Sequence, residues 1–166
     1  RPFLETNVIG TINLLNASLS VDIEKFHFIS TDEVYGSLDY QDNILFKEST
    51  QIDPKNPYSA SKAAAEHYVK AWNNTYDLPY VITCSSNNYG IRQHHEKLIP
   101  KVIKRALNDK KISMYGGGHQ TRDWLHVEDH CDAIWKIDKN DIIGDVSFKG
   151  NDAEKILTYS SDLIDI

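Results

Sequence analysis

From residue 3 to residue 90 the spacing of apolar residues switches repeatedly between two periods, and that alternation constrains the fold more than any other feature of the chain. Leu4, Val8, Ile12, Leu15 and Leu19 recur at helical spacing, which predicts an amphipathic helix over Phe3–Leu19. Lys25–Ser30 is aromatic and β-branched and runs into polar Thr31-Asp32-Glu33, which predicts a short buried strand with polar groups at its carboxyl end. Residues 37–56 are polar, carry Pro54 and predict a surface connection. Asn56-Pro57 then reads as a helix start, because Asn accepts a bond from an orphan amide and proline fits the first helical position. Ala63-Ala64-Ala65 favours a helix running to about Tyr76. Leu78–Thr83 predicts a second strand, which breaks into a small polar loop over Ser85–Gly90, where open α/β sheets bind ligands. Helix, strand, helix, strand predicts an α/β fold with a parallel sheet covered by helices.

Beyond Gly90 the pattern loosens. Leu98–Leu107 reads as a helix, Ile112–Tyr115 as a short strand, and Gly116-Gly117-Gly118 as a turn leading into Thr121–Val127. Glu128–Ile137 reads as a helix with Glu128 and Asp129 at its positive end. One weak strand is expected near Val146, and Tyr159–Ile166 begins a further helix.

A length of 166 residues suits one domain or one and a fraction. With 40% hydrophobic and 25% charged residues the composition is globular, and no apolar run approaches the roughly 20 residues of a membrane helix. A net charge of −6 with scattered lysines argues against a nucleic-acid surface. Cys84 and Cys131 lie in apolar stretches without metal-ligand spacing, so two buried thiols and a cytoplasmic location are expected. Arg1-Pro2-Phe3 carries neither an initiator methionine nor a targeting pattern, so the chain is expected to begin inside a longer protein.

Two clusters can carry chemistry. Tyr58 and Lys62 stand four residues apart on one helix face, so a phenol and an ammonium can meet one substrate, and the ammonium would favour the phenolate. An ordinary helix with one aromatic and one basic residue has the same pattern. Asp32 and Glu33 could serve as acid and base, provided their environments differ. In an extended strand they would face opposite sides, so cooperation requires the chain to coil there; a polar strand end facing water is the alternative. Arg122 after the glycine turn could hold a phosphate in bidentate fashion, or pair with Asp123 on the surface. The triple glycine lacks the spacing of a phosphate cradle, the seven histidines, His94-His95 included, lack metal-binding spacing, and no Gly-x-Ser-x-Gly elbow occurs.

Taken together, Ser30-Thr31-Asp32-Glu33-Val34-Tyr35-Gly36 and Pro57-Tyr58-Ser59-Ala60-Ser61-Lys62-Ala63-Ala64-Ala65-Glu66-His67 resemble the extended short-chain dehydrogenase/reductases, specifically the nucleotide-sugar 4,6-dehydratases, with the dTDP-glucose type closest. Asn7-Val8-Ile9-Gly10-Thr11, Ser86-Asn87-Asn88-Tyr89-Gly90, Glu96-Lys97-Leu98-Ile99-Pro100 and Arg122-Asp123-Trp124 follow in the family's order. The Thr-Asp-Glu segment separates dehydratases from the similar epimerases, and UDP-glucuronate decarboxylases usually carry Ser where Asp32 stands.

The resemblance implies a Rossmann-like sheet whose glycine-rich first turn lies upstream of Arg1, over 1–91, and part of a small substrate-binding region over 92–166. It implies NAD as cofactor, with Tyr58, Lys62 and Ser85 contacting it, and Thr31, Asp32, Glu33, Tyr58 and Lys62 as the catalytic set. Asn87, Lys97, Leu98, Tyr115 and Arg122 would hold the nucleotide diphosphate of a nucleotide-sugar substrate. A homodimer is implied, formed through the Tyr58 helix and the helix after Pro2; no metal is. A noncatalytic module, or another extended reductase such as an epimerase or decarboxylase, are the other readings.

Overall fold

The computed structural model describes residues 1–38, 45–112, 121–140 and 142–148. The chain enters as a helix whose first turns, Leu4–Ile9, are π-helical and which continues as α1, Gly10–Val21. Strand β1, Phe26–Thr31, passes directly into a 3₁₀ turn, Asp32–Tyr35. Helix α2 covers Pro57–Tyr76, followed by β2, Tyr80–Ser85, and β3, Asn87–Tyr89. Helix α3, Leu98–Ala106, β4, Trp124–His126, α4, Val127–Lys139, and β5, Gly144–Phe148, complete the described elements.

The main sheet has the order β1-β2-β5 and is parallel throughout. Phe26 lies opposite Tyr80 and Thr31 opposite Ser85, so the two strands end level; β5 joins the far side of β2 with Val81 opposite Gly144. The strand expected near Val146 therefore belongs to the same sheet as the elements of 1–91. Alternation along β2 feeds two layers. Ile82 and Cys84 pack with Leu15, Phe28, Ala63, Ala65 and Val69 under α1 and α2, whereas Val81 packs with Leu125 and Ile137 under α4. A strand covered on both faces loses its alternation of polar and apolar residues, and Val81 to Ser86 is buried without a break. Strands β1 and β5 are the sheet's two edges among the described residues, and Ile29 of β1 is exposed.

Ser85–Gly90, expected as a loop, instead holds β3, which pairs in parallel with β4, Asn87 opposite Trp124. The partner lies beyond α3, so no local periodicity signals it. Gly90 ends β3 where a Cβ would overlap Val127 Cγ1 at the start of α4. Gly36 closes the 3₁₀ turn with φ +93°, and a Cβ there would stand 2.7 Å from the Asp53 carbonyl oxygen. Cys84 is buried as expected, but Cys131 is exposed. It falls on the outer face of α4 beside Asp132, while His130, Ala133, Ile134 and Ile137 turn inward. Tyr115, the 112–115 strand, the glycine turn and Tyr159–Ile166 lie wholly or largely outside the described residues.

Candidate active site

Parallel strands that end level deliver their next residues to one rim, and the candidate residues follow β1 and β2 there. Thr31 is the N-cap of the 3₁₀ turn, its Oγ1 accepting from the Glu33 amide at 3.3 Å and donating to Asp32 Oδ1 at 3.4 Å. The coil that cooperation of Asp32 with Glu33 requires is thus present, in the residue directly after the strand. Burial, helped by the charges of Glu33 and Asp123, pushes the Asp32 carboxyl up to about 6, against the opposing bond from Thr31.

Helix α2 starts against this turn. Asn56 Oδ1 accepts from the Ser59 amide at 2.9 Å and Ser59 Oγ accepts from the Asn56 amide at 3.2 Å, a reciprocal cap with Pro57 in the first turn. The other end of the same side chain, Asn56 Nδ2, donates to Glu33 Oε2 at 3.1 Å. One residue therefore fixes both the start of the Tyr58 helix and the position of Glu33. Its capping role is legible from the sequence; its grip on Glu33 is not.

Tyr58 is half-buried beside Phe3, the rings 5.7 Å apart edge to face. Burial first, then the charges of Glu33 and Asp32, raise its phenol above the ordinary value. The expected lowering by Lys62 is not what the structure holds. Lys62 Nζ donates to the Ile29 carbonyl at 2.6 Å and lies 4.1 Å from the centre of the Phe28 ring, so its charge serves the strand rather than the phenol. Burial lowers the Lys62 ammonium, with Glu66 and Cys84 acting against that.

The remaining candidates divide. Asn87 lies opposite Trp124 in the β3-β4 pair, two residues beyond Arg122. Arg122 is exposed and donates to the Thr121 carbonyl at 2.7 Å. Lys97 and Leu98 open α3 and are exposed. Ser85 is buried at the end of β2 and accepts from Asn88 Nδ2 at 3.3 Å. Its neighbour Ser86 is buried with a hydroxyl that has no hydrogen-bond partner among the described residues, a donor left at the rim. Asp123, which bears on Asp32, gave no signal in the sequence beyond its place after Arg122. Among the described residues no group of His, Cys, Asp or Glu could hold a metal ion, and no helix is long and apolar enough to cross a membrane.

A parallel α/β sheet that brings a Tyr-x-x-x-Lys helix against a strand-end carboxylate pair defines a Rossmann-like fold of the short-chain dehydrogenase/reductase type. Comparison with known proteins narrows this. The chain belongs to the GDP-mannose 4,6 dehydratase family, whose sequence pattern matches residues 1–160. It is 46% identical over 162 residues to the dTDP-glucose 4,6-dehydratase of Neisseria gonorrhoeae, covering 92% of this chain and 46% of that protein. It is also 46% identical to the low-salt glycan biosynthesis protein Agl12 of Haloferax volcanii, covering 93% and 49%. The crystal structure of dTDP-glucose 4,6-dehydratase from Bacillus anthracis in complex with NAD superposes with a TM-score of 0.85 at 43% identity, covering 95% and 52%. A UDP-glucuronic acid 4-epimerase from Bacillus cereus superposes at 0.81 with 27% identity, covering 86% and 45%. The chain spans about half the length of the curated relatives it matches.

Proposed function

We propose that this chain carries the acid–base set of an NAD-dependent nucleotide-sugar 4,6-dehydratase, with a dTDP-hexose as substrate. The observation that carries the reading is the bond from Asn56 to Glu33, which sets the Thr31-Asp32-Glu33 turn against the start of the helix bearing Tyr58 and Lys62. Relatives named as dTDP-glucose 4,6-dehydratases and a neighbour from Streptomyces venezuelae holding NAD and TYD support the substrate class.

The residues present fit the cofactor. Ser86 offers a buried hydroxyl with no partner beside Ser85, and Lys62 has two ammonium protons beyond the one given to Ile29. Tyr58, Lys62 and Ser85 would hold its nicotinamide end. NAD, when bound, supplies the hydride acceptor at sugar C4 and the hydride returned to C6.

Tyr58 takes the proton of the C4 hydroxyl, with Thr31 bonding that oxygen. Burial, then the charges of Glu33 and Asp32, oppose ionisation of the phenol, so this step requires the Lys62 protons not given to Ile29 to turn toward the same site. Glu33 then removes the C5 proton, made acidic by the C4 ketone, and Asp32, in its protonated form, delivers a proton to the C6 hydroxyl, which leaves as water. Asn87, Lys97, Leu98, Tyr115 and Arg122 bind the nucleotide diphosphate, with Arg122 offsetting phosphate charge. In this reading 1–91 carries the chemistry and 92–166 contributes to substrate binding. Cytoplasmic location and homodimerisation belong to the same proposal; exposed Phe3, Leu4, Ile9 and Leu14 on the first helix and Tyr68 and Tyr76 on α2 support apolar surface on both helices.

Incubation with NAD and dTDP-glucose, UDP-glucose or GDP-mannose, read by the alkaline absorbance of the 4-keto product, tests the reading. Product from dTDP-glucose supports it. Epimerised sugar without keto product would give the reading to the epimerases, and no product from any sugar would leave a noncatalytic module.

A further inference from the structure

Four buried polar side chains, Ser30, Tyr35, Glu66 and Cys84, join behind the acid pair and have no part in the chemistry above. Glu66 on α2 is a carboxylic acid with 2% of its surface exposed, and such groups are seldom enclosed to that degree unless bonded. Its Oε1 accepts from Ser30 Oγ and from Cys84 Sγ, the latter at 3.8 Å. Cys84 Sγ in turn accepts from the Tyr35 hydroxyl at 3.6 Å. Burial pushes the Cys84 thiol up to about 12, so at neutral pH it keeps the proton that a donor to Glu66 needs. Ser30 is the residue before Thr31-Asp32-Glu33, and Tyr35 is the last residue of the 3₁₀ turn that holds the acid pair. One carboxylate therefore takes hold of the chain on both sides of Asp32 and Glu33, directly where the turn is entered and through a thiol where it is left.

We propose that Glu66 and Cys84 are positioning residues for the acid pair: the chain Ser30–Glu66–Cys84–Tyr35 brackets the 3₁₀ turn and fixes where Asp32 and Glu33 stand at the rim. The turn's own bonds are long for N–H donors. The Glu33 amide reaches Thr31 Oγ1 at 3.3 Å and the Gly36 amide reaches the Glu33 carbonyl at 3.3 Å, so its shape needs support from outside. On the outer side the Asp53 amide holds the Val34 carbonyl at 2.9 Å and Asn56 holds the Glu33 carboxylate. On the buried side Glu66 ties both ends to α2, the helix that also carries Tyr58, so acid pair and tyrosine keep one register. The catalytic importance of this rests on the dehydratase reading, but the bracket does not.

Hydrogen exchange of the full chain, read amide by amide by NMR without NAD or sugar, tests the bracket at the Glu33 and Gly36 amides, with the Leu107 and Asn140 amides at the ends of α3 and α4 as remote references. Ser30→Ala cuts the entry side, so the Glu33 amide is expected to exchange about tenfold faster, the scale of a lost bond to a charged group. Cys84→Ala cuts the exit side, and the larger rise should then fall on Gly36. Glu66→Leu should free both amides. Glu66→Gln keeps an acceptor for Ser30 and Cys84 and should keep both protected, which separates the bonds from the bulk of the side chain. Unchanged exchange at Glu33 and Gly36 in Ser30→Ala and Cys84→Ala would overturn the proposal, as would an equal rise at Leu107 and Asn140, which reports loosening of the whole fold. With NAD and dTDP-glucose, Ser30→Ala should lower kcat with KM little changed, because the acid pair acts on a sugar already bound; turnover equal to that of the wild type would overturn the positioning role. If the wild-type chain dehydrates no sugar, the functional reading falls and the exchange pattern alone decides the bracket.

Discussion

Asp32 gives the sharpest test of the site's electrostatics, because its strained protonation is a stability term that a single atom exchange removes. Moving the carboxyl from an ordinary 3.8 to about 6 means that the folded chain holds the proton more tightly than the unfolded chain does. Below pH 4 both states are protonated and nothing is lost. As pH rises from 4 through 6 the unfolded state ionises first, and stability falls; above pH 7 the full cost is in place. At 1.36 kcal/mol per pH unit the interval corresponds to about 3 kcal/mol, of which about 2 remains after allowance for the solvent that reaches a half-buried group. Asp32→Asn keeps the size and the acceptor for Thr31 and carries no charge. The variant should match the wild type near pH 4 and exceed it by about 2 kcal/mol at pH 8, a Tm gain of about 4–8 °C for a chain of this size. Urea unfolding followed by circular dichroism at several pH values measures it, and subtracting the two curves cancels the same-signed contribution of Glu66. Parallel curves for variant and wild type, or a variant less stable at pH 8, would refute the reasoning. The same variant cannot donate a proton, so the gain in stability should accompany loss of dehydration.

Asn56→Ala should cost about 1–2 kcal/mol by urea unfolding, since the cap of α2 and the Glu33 bond go together. Asn56→Asp keeps the cap but sets a carboxylate against Glu33, so its deficit should appear at pH 7 and shrink at pH 4; a deficit independent of pH would count against the Glu33 contact. Gly90→Ala should destabilise by overlap with Val127 Cγ1, and Val127→Ala in the same chain should restore about 1 kcal/mol or more, a coupling that a double-mutant cycle measures. In native protein a thiol reagent should modify exposed Cys131 quickly, whereas Cys84, buried and with its thiol pushed up to about 12, should react only as the chain unfolds. Two fast thiols would contradict the packing of β2.

What could be read from the sequence was what local chemistry decides. The Asn56 cap, Pro57 and the alanine run announce the start and body of α2 because each acts within a turn of itself. The need for a coil at Asp32-Glu33 follows from side-chain alternation alone, and the 3₁₀ turn supplies it. The misses depend on partners remote in sequence. Three residues of β3 become a strand only because Trp124–His126 lies beside them. Cys131 lies in an apolar stretch but on the outer face, which only the docking of α4 decides. Lys62 turned to Ile29, and Glu66 reads as one more helix former until β1 is laid against it.

The strand order carries a kinetic consequence. Strands β1 and β2 are joined through α2, which packs on both, so that unit can close on its own contacts. Strand β5 reaches β2 only after the whole of residues 86–143 has been laid down, a much longer loop to close. The connectivity therefore predicts an order of folding, in which the β1-α2-β2 unit condenses first with its acid pair and its tyrosine, and the excursion bearing Asn87, Lys97 and Arg122 settles onto it afterwards. Substitutions in the first unit should slow folding, while those in the excursion should chiefly hasten unfolding.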